Sequence, residues 1–353
     1  LVRLAVGLDV TACTVGSTGV GRYGRELWAR LVQRPDLDVK AFALGRGPAA
    51  PLPARRLAVP LRLLHPLWRV AGWPTAETIV GQIDVMHTLD LLPAPTQAPV
   101  ALHVHDDFAV SVPSLTSPRS RRIQAAQLKA ARDCRILFTI SQSTADTISA
   151  VTGVPRDRVV ATGMAPLYVA AAASSREPGE YILAVGAITP RKGFDILAAA
   201  VNQVPGCPPL RIAGPDGWAA DEVRARVRDC DPGGKVSFLG PVTDQELGRL
   251  YLAAVAYVQA SLAEGFGMAT LDAMASHCPV VATDLPTTRE VAGDAALLVP
   301  AGNPEALAAA IRAVLDDPAA AASRVTAGLE RCRSFTWEAA TDRIVEAYRV
   351  ALG

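Results

Sequence analysis

Short apolar runs alternate with helical stretches along almost the whole chain, and the alternation halts once and restarts. Strands of a parallel sheet are buried on both faces, so they read as continuous aliphatic and β-branched runs, each followed by a helix that carries the chain back. In the first half such runs fall at 3–10, 39–44, 83–87, 100–104, 136–140 and 159–161, with helices predicted over 21–33, 119–132 and 143–151. In the second half they fall at 181–185, 210–213, 236–239, 256–260 and 280–283. Between the halves, Ala-Pro-Leu-Tyr-Val-Ala-Ala-Ala-Ala-Ser-Ser-Arg-Glu-Pro-Gly has no period and ends in turn residues, so 166–179 reads as a linker. At 353 residues the chain is too long for one ordinary core. The pattern predicts an α/β protein of two doubly wound, Rossmann-like domains, 1–165 and 180–337. Their strand carboxyl ends are expected to face a central cleft.

Helix starts in the second half are well marked. Thr243-Asp-Gln-Glu246 is a capping box, and Asn303-Pro304 sets a cap residue before a first-turn proline. The Ala-rich stretch 305–329 reads as helix without chemistry. Half of the residues are apolar and a fifth are charged, which excludes a disordered chain. The net charge of +1 hides an asymmetry: 1–165 carries 19 Lys+Arg against 12 Asp+Glu, and 166–353 carries 16 against 22. A basic first half suits an anionic surface or substrate, although scattered surface charge is the plainer account. The six cysteines show no CxxC and no metal-type spacing, as expected of free thiols in a reducing compartment. The start reads as a first strand and not as a signal peptide, and no apolar run reaches the ~20 residues of a membrane span. These features predict a soluble cytoplasmic protein. Peripheral attachment at the inner face of the membrane stays open.

Four groups of residues can carry chemistry. After the first strand comes Gly16-Ser-Thr-Gly19-Val-Gly21-Arg22-Tyr23, whose glycines would let backbone N–H groups approach a phosphate; the order GxxGxG is wrong for the dinucleotide fingerprint, and a tight turn is the plainer reading. His105 and Asp106 stand at the end of a predicted central strand, where a parallel sheet delivers functional side chains, although a lone histidine is usually a core residue. His103, His87 and His65 have weaker claims. Arg191-Lys192 follows the strand that ends at Gly186; two adjacent cations at a strand–helix junction make poor core residues and a good diphosphate clamp. The strongest signal is Glu264-Gly265-Phe266-Gly267-Met-Ala-Thr-Leu-Asp272, an acid before a glycine turn and a second acid eight positions on. The turn offers backbone N–H groups at a helix start, Glu264 can accept from sugar hydroxyls, and Asp272 can accept from both hydroxyls of a ribose. Either acid alone would pass for a helix cap. Two basic stretches, Pro118–Arg135 and Arg55–Arg69, are candidate acceptor or head-group surfaces, the first reading equally as a solvated helix face.

On these motifs the chain resembles the retaining family-four glycosyltransferases of the GT-B fold, over most of its length and most densely between Tyr181 and Pro300. The resemblance implies that the last helix, about 338–353, crosses back onto the first domain. It implies donor contacts at Gly19, Gly21, Gly186, Gly214 and Leu239 besides the Arg191, Lys192 and Glu264–Asp272 groups, with the base read near Val236–Gly240. It assigns catalysis to His105, Glu264, Arg191 and Lys192, and an acceptor-facing position to Arg22, Tyr23 and Asp106. The implied reaction moves mannose or a related or deoxy hexose from a nucleoside diphosphate to a glycan, lipid-linked or secondary-metabolite acceptor. The departing diphosphate takes the acceptor proton on the same face, with no metal and no cofactor. A GDP- or dTDP-linked donor is favoured, with UDP as the alternative, and no nucleic-acid partner is expected. Asp36-Leu-Asp38 has the form of a metal-binding DxD but sits before the second strand.

The chain departs from the family pattern where Asp272 replaces the usual Glu, where Ala260 and Ala269 replace frequent prolines, and where Gly163-Met-Ala165 replaces an Asn-Gly-Val-Asp-like turn. A glycoside hydrolase using Glu264 and Asp272 would have no use for the Arg-Lys pair. A GT-B epimerase would lack a separate acceptor, and a phosphorylase would need a pyridoxal-binding lysine, a role for which Lys192 stands too near the clamp. A non-catalytic nucleotide-sugar-binding protein is the rival from another class. The joint presence of His105, Arg191, Lys192 and Glu264 argues against it.

Overall fold

A computed structural model describes residues 3–14, 19–46, 53–90, 92–167 and 179–353. Glycine-loop residues Gly16, Ser17 and Thr18 and most of the linker lie outside the described residues. The chain forms two units, the first comprising Leu1–Ser111, Pro118–Met164 and Thr336–Gly353, the second Val112–Ser117 and Ala165–Phe335. In the first unit the strands are β1 (Leu4–Asp9), β2 (Leu37–Leu44), β3 (Arg55–Leu57), β4 (Val85–Thr88), β5 (Val100–His103), β6 (Ile136–Thr139) and β7 (Val159–Ala161). The helices are α1 (Gly19–Gln33), α2 (Leu61–Ala71), α3 (Ala76–Val80), α4 (Phe108–Ser111), α5 (Pro118–Ala131) and α6 (Gln142–Thr152). Seven parallel strands run in the order β3-β2-β1-β4-β5-β6-β7. Every residue of β4, β5 after Val100, and β6 is buried, as helices on both faces of a parallel sheet require. β3 and α2 escape the sequence pattern: β3 is three residues with two exposed arginines, and α2 carries Pro66 inside it.

The second unit contains β8 (Tyr181–Val185), α7 (Phe194–Gln203), β9 (Leu210–Ala213), α8 (Ala220–Asp229), β10 (Val236–Gly240), α9 (Asp244–Ala253) and β11 (Ala254–Gln259). It continues with α10 (Met268–Ala275), β12 (Val280–Thr283), α11 (Pro286–Ala292), β13 (Ala296–Val299), α12 (Pro304–Asp316) and α13 (Pro318–Cys332). Its six parallel strands run β10-β9-β8-β11-β12-β13. The order reverses between β8 and β11, and the crevice outside the carboxyl ends of strands at such a switch point is where doubly wound sheets bind ligands. Ile182, Ile212, Val258 and Val281 from the sheet and Leu197, Val201 and Ile311 from the helices make one core. At ~1.5–3 kcal/mol for each fully buried aliphatic side chain, it gives this unit its own stability. The capping box at Thr243 forms, and Asn303 accepts from Ala306 N at 2.8 Å. The single helix expected over 305–329 is two: Pro318 opens α13, and Asp317 turns from α12 to cap it, accepting from Ala320 N at 2.9 Å.

The last helix, α14 (Trp337–Leu352), belongs to the first unit. Its buried stripe of Trp337, Ala340, Thr341, Ile344, Val345 and Tyr348 repeats at three and four residues. Polar ties hold it as well. Arg343 Nη1 donates to Thr162 O at 2.7 Å, Arg349 pairs with Asp36 at 2.6 Å, and Arg34 bonds Asp342. The Tyr348 hydroxyl meets His87 Nδ1 and starts a buried chain of hydrogen bonds. It runs from His87 Nε2 to His103 Nδ1 (2.7 Å), from His103 Nε2 to the Tyr23 hydroxyl (3.0 Å), and on to Thr162 Oγ1 (2.9 Å).

Candidate functional site

Three charged groups predicted from sequence meet at the switch point of the second unit. β8 delivers Arg191 and Lys192 through the short turn Pro190–Lys192, and β11 runs out toward Glu264. Lys192 Nζ lies 2.5 Å from Glu264 Oε1, and Arg191 Nη1 lies 3.5 Å from Oε2. The two loops are laced together: Arg191 Nη1 donates to Ala263 O at 2.6 Å, and Leu262 N donates to Arg191 O at 2.8 Å. Ser261 Oγ donates to Glu264 Oε1 at 2.6 Å, Thr287 Oγ1 to Glu264 O at 3.1 Å, and Thr283 Oγ1 to Ser261 O at 2.6 Å. The side chains of Arg191, Lys192 and Glu264 are 18 %, 15 % and 10 % exposed, so each charge is largely taken from water.

Burial alone would raise the Glu264 carboxyl, but Lys192, Arg191 and the bonds from Lys192 and Ser261 outweigh it and hold the group down to about 2. Lys192 is pushed below the ordinary lysine value by burial and by Arg191, with Glu264 pulling the other way. Two cations against one ionised carboxylate leave a net +1 in a poorly hydrated crevice, where an anion is worth more than in water. The glycines at the strand ends make room. A Cβ on Gly186 would stand 2.8 Å from Lys192 Cε, and one on Gly214 would stand 2.0 Å from Gly186 O.

The rest of the predicted donor group divides. Gly267 caps α10 without a side-chain bond, so the first N–H groups of that helix meet no cap side chain. Leu239 is exposed on β10, beside Gly240, whose carbonyl accepts from Gly214 N at 2.9 Å. Phe266 is buried against Phe335, so only its backbone is left to meet a donor. Asp272 departs from expectation: it is 2 % exposed and its Oδ1 accepts the Leu167 N–H at 2.7 Å. One methylene shorter than glutamate, it ends inside the unit and secures the chain at Leu167.

In the first unit His105 follows β5, buried, and its Nε2–H donates to Leu89 O at 2.6 Å, which leaves Nδ1 as the acceptor nitrogen of the neutral ring. Asp90 lies against it, raised by burial and by Asp106 and lowered by His105. Asp9, at the end of β1, is raised to about 6 by burial against the bonds from Thr11. Asp106 accepts from Phe108 N and from Gln124 Nε2 at 2.7 Å. Tyr23 overturns its acceptor-facing expectation. The helix begins at Gly19, so Gly19 and Gly21 are its first turn, and the helical phase turns Tyr23 into the core, where His103, Thr162 and Trp337 surround it. Arg22, one position before it, is half-buried. The DxD-like pair is held in ion pairs, Asp36 with Arg34 and Arg349 and Asp38 with Lys40.

A family model described as Glycosyltransferase Family 4 matches residues 17–162, and one described as Glycosyl transferases group 1 matches 179–317. The chain is a group 1, family-four glycosyltransferase. It is 28 % identical to the O-antigen chain mannosyltransferase B of Escherichia coli, with 94 % of this chain and 96 % of that protein covered. It is 33 % identical to the phosphatidyl-myo-inositol mannosyltransferase of Mycolicibacterium smegmatis over 46 % of this chain, a match that spans 43 % of that protein. Among solved structures, sucrose-phosphate synthase from Thermosynechococcus elongatus superposes with a TM-score of 0.78 at 21 % identity, covering 99 % of both chains. Anabaena Alr3699/HepE, solved with UDP and glucose, superposes at 0.74 and 16 % identity over 99 % of this chain and 100 % of that one. These likenesses carry the GT-B fold of two Rossmann-like domains. What this glycosyltransferase adds beyond the sequence reading is hydroxyl chemistry around Glu264: Ser261, Thr283 and Thr287. Ser261 stands three residues before Glu264, the one spacing that could have flagged it.

Proposed function

We propose that the chain is a retaining, metal-independent hexosyltransferase that moves mannose or a related or deoxy hexose from a nucleoside diphosphate to a glycan, lipid-linked or secondary-metabolite acceptor. The observation that carries this reading is the Arg191–Lys192–Glu264 constellation at the switch point. Its two cations suit a diphosphate leaving group, and its carboxylate suits the hydroxyls of the attached sugar. A carboxylate held at about 2 is too weak a base to deprotonate an acceptor near neutral pH. It is also the wrong group for the raised general acid that a hydrolase needs. Both points support a route in which the departing diphosphate oxygen takes the acceptor proton on the face it leaves, so that configuration is kept. His105 carries the sugar-contacting role that the family resemblance assigns to it. Among the described residues no group of three His, Cys, Asp or Glu is placed to hold a metal ion, and Arg191 and Lys192 would supply the positive charge. The match to an O-antigen mannosyltransferase over 94 % of this chain supports mannose as the sugar, and a GDP- or dTDP-linked donor is favoured, with UDP as the alternative. No helix among the described residues is long and apolar enough to cross a membrane. The protein would act in the cytoplasm, with its basic first half meeting the inner face of the membrane.

A thermal-shift panel of GDP, UDP, dTDP and ADP, with and without magnesium, tests the donor half. One diphosphate should raise the melting temperature without metal, and the Lys192→Ala variant should lose that shift. Silence with all four would overturn the reading. The anomeric configuration of the product, read by NMR, tests retention, and an inverted product would refute it.

A further inference from the structure

Inside the first unit His87, His103 and His105 stand in a row. His87 stacks on His103 with ring centroids 4.9 Å apart and planes 17° apart, and His103 stacks on His105 at 5.3 Å and 15°. Tyr23 meets the edges of both His103 and His105, each at 5.4 Å, and Phe138 backs His87 and His103, each at 5.1 Å. Apolar side chains would fill this space without the cost of drying imidazoles, so the rings call for a role beyond filling it. The hydrogen-bond chain through them has a single polarity. Thr139 O can only accept, and Thr162 Oγ1 lies 3.0 Å from it, so the Thr162 proton goes there. Thr162 then accepts from the Tyr23 hydroxyl, and Tyr23 accepts from His103 Nε2–H. Burial keeps His87 and His103 neutral, so His103 Nδ1 accepts from His87 Nε2–H, and His87 Nδ1 accepts from the Tyr348 hydroxyl. Both nitrogens of His103 are thereby used, and its plane is fixed. His105 bears on that plane with one face, on Tyr23 with an edge, and on Leu89 O through Nε2–H. Turning the His105 ring would break all three contacts.

We infer that His103 is a positioning residue for His105, held in place by a proton-ordered chain that α14 anchors through Tyr348. His103 is 0 % exposed and meets no ligand itself. Its stack holds the His105 ring where Nε2–H reaches Leu89 O, which leaves Nδ1 as the acceptor and fixes its direction. A contact to a sugar gains from such a ring only if the ring is already aimed, and locked neighbours are what aim it. The last helix thus acts on His105 from inside the unit, through the Tyr348–His87 and His87–His103 bonds and one ring stack. This inference rests on the sugar-contacting role proposed for His105. One of its two tests is read without turnover, so its failure and the failure of the transfer reading look different.

The first test is nitrogen NMR of the full chain with labelled histidine rings, the five histidines being assigned by single substitution. In the wild type His105 should show one tautomer, with its hydrogen on Nε2. His103→Leu fills the same space but removes the flat face and both hydrogen bonds, and the His105 signals should then become an average of two tautomers. Tyr348→Phe removes one oxygen from the far end of the chain and should produce a smaller shift in the same direction. Where His103→Leu does not fold, Tyr348→Phe decides. The second test is release of GDP from GDP-mannose with water as the acceptor. His103→Leu should lower kcat by about tenfold while KM stays within about twofold, because the diphosphate clamp belongs to the other unit. In a His105→Ala background the same substitution should change kcat by less than about twofold, since no ring is left to aim. An equal loss in both backgrounds would make His103 a packing residue and overturn the inference. So would a His105 ring that keeps a single tautomer in both variants. A chain that releases no GDP from GDP-mannose would count against that donor, and the ring signals would still decide the positioning.

Discussion

Lys192 is pulled in two directions, and its titration should show it. Burial and Arg191 lower its pKa below the usual 10.5, and Glu264 opposes them without winning. If the ammonium must be charged to hold a diphosphate, transfer is lost as pH rises through that lowered value, earlier than an ordinary lysine would allow. Lys192→Arg keeps its charge to higher pH, so the alkaline limb of kcat/KM should vanish even though the guanidinium fits the site less well. A limb unchanged in the arginine variant would remove Lys192 from that role. Glu264→Gln removes the carboxylate charge beside Arg191 and Lys192, so nucleoside-diphosphate binding should hold or tighten while kcat falls by about 100-fold, the cost of losing one preorganised contact. These charged residues were legible because few other uses explain an Arg-Lys pair and a Glu-Gly-Phe-Gly turn in one half. Ser261 and Thr287 were not, because a hydroxyl becomes functional only through what it touches. Tyr23 misled because its meaning hangs on helical phase, and the helix starts two residues earlier than the glycine pattern suggests.

Each sheet works as a frame that sets strand ends at chosen heights, and the glycines at those ends keep the crevice open. Gly186→Ala would drive a methyl against the stem of Lys192, at 2.8 Å from Cε, while Glu264 holds the ammonium in place. Nucleotide affinity should fall by about tenfold, a cost of ~1.4 kcal/mol, measured by titration calorimetry. Gly214→Ala would press on the backbone of Gly186 and Ala187, which no side-chain rotation can relieve, so it should destabilise the fold itself. α14 is the element that closes the first unit. Trp337→Ala, which removes a buried ring packed between Tyr23 and Arg30, should cost about 3–5 kcal/mol of that unit's stability by denaturant unfolding. Most strands were legible because burial on both faces leaves an unbroken apolar run. β3 was not, since a short edge strand with outward arginines has no such run, and α2 was not, since Pro66 reads as a breaker. The break at Asp317-Pro318 lay in plain sight, but alanine on both sides hid it.

Acid should act on the two units at different pH values, because one buries neutral bases and the other an ionised acid. In the first unit His87 is lowered to about 3 by burial and by His105, and His103 lies well below the usual 6.5 through burial and its two histidine neighbours. Below pH 6.5 the unfolded chain takes up protons that these folded imidazoles refuse, so stability drops as pH falls from 6.5 toward 3. Asp9, raised to about 6, works against this between about 6 and its ordinary 3.8, where the folded state holds the extra proton. Asp90 and Asp107, also raised by burial, act with Asp9, and His65, also lowered by burial, acts with the two histidines, whose larger departures leave a net loss. In the second unit Glu264 adds stability that is full above its ordinary 4.5 and is lost only as pH falls through about 2. Calorimetry should therefore show the first unit's transition moving down between pH 6.5 and 4.5 while the second unit's transition stays. Trp337→Ala identifies the first transition by lowering it alone. Saturating nucleoside diphosphate identifies the second by raising it, with ~2.7 kcal/mol of stabilisation at a hundred times Kd. Replacing His87 and His103 together by leucine should flatten the pH slope of the first transition, whatever it does to its height. A slope that survives that replacement would mean that other groups carry the acid sensitivity, and that the buried histidine chain serves packing alone.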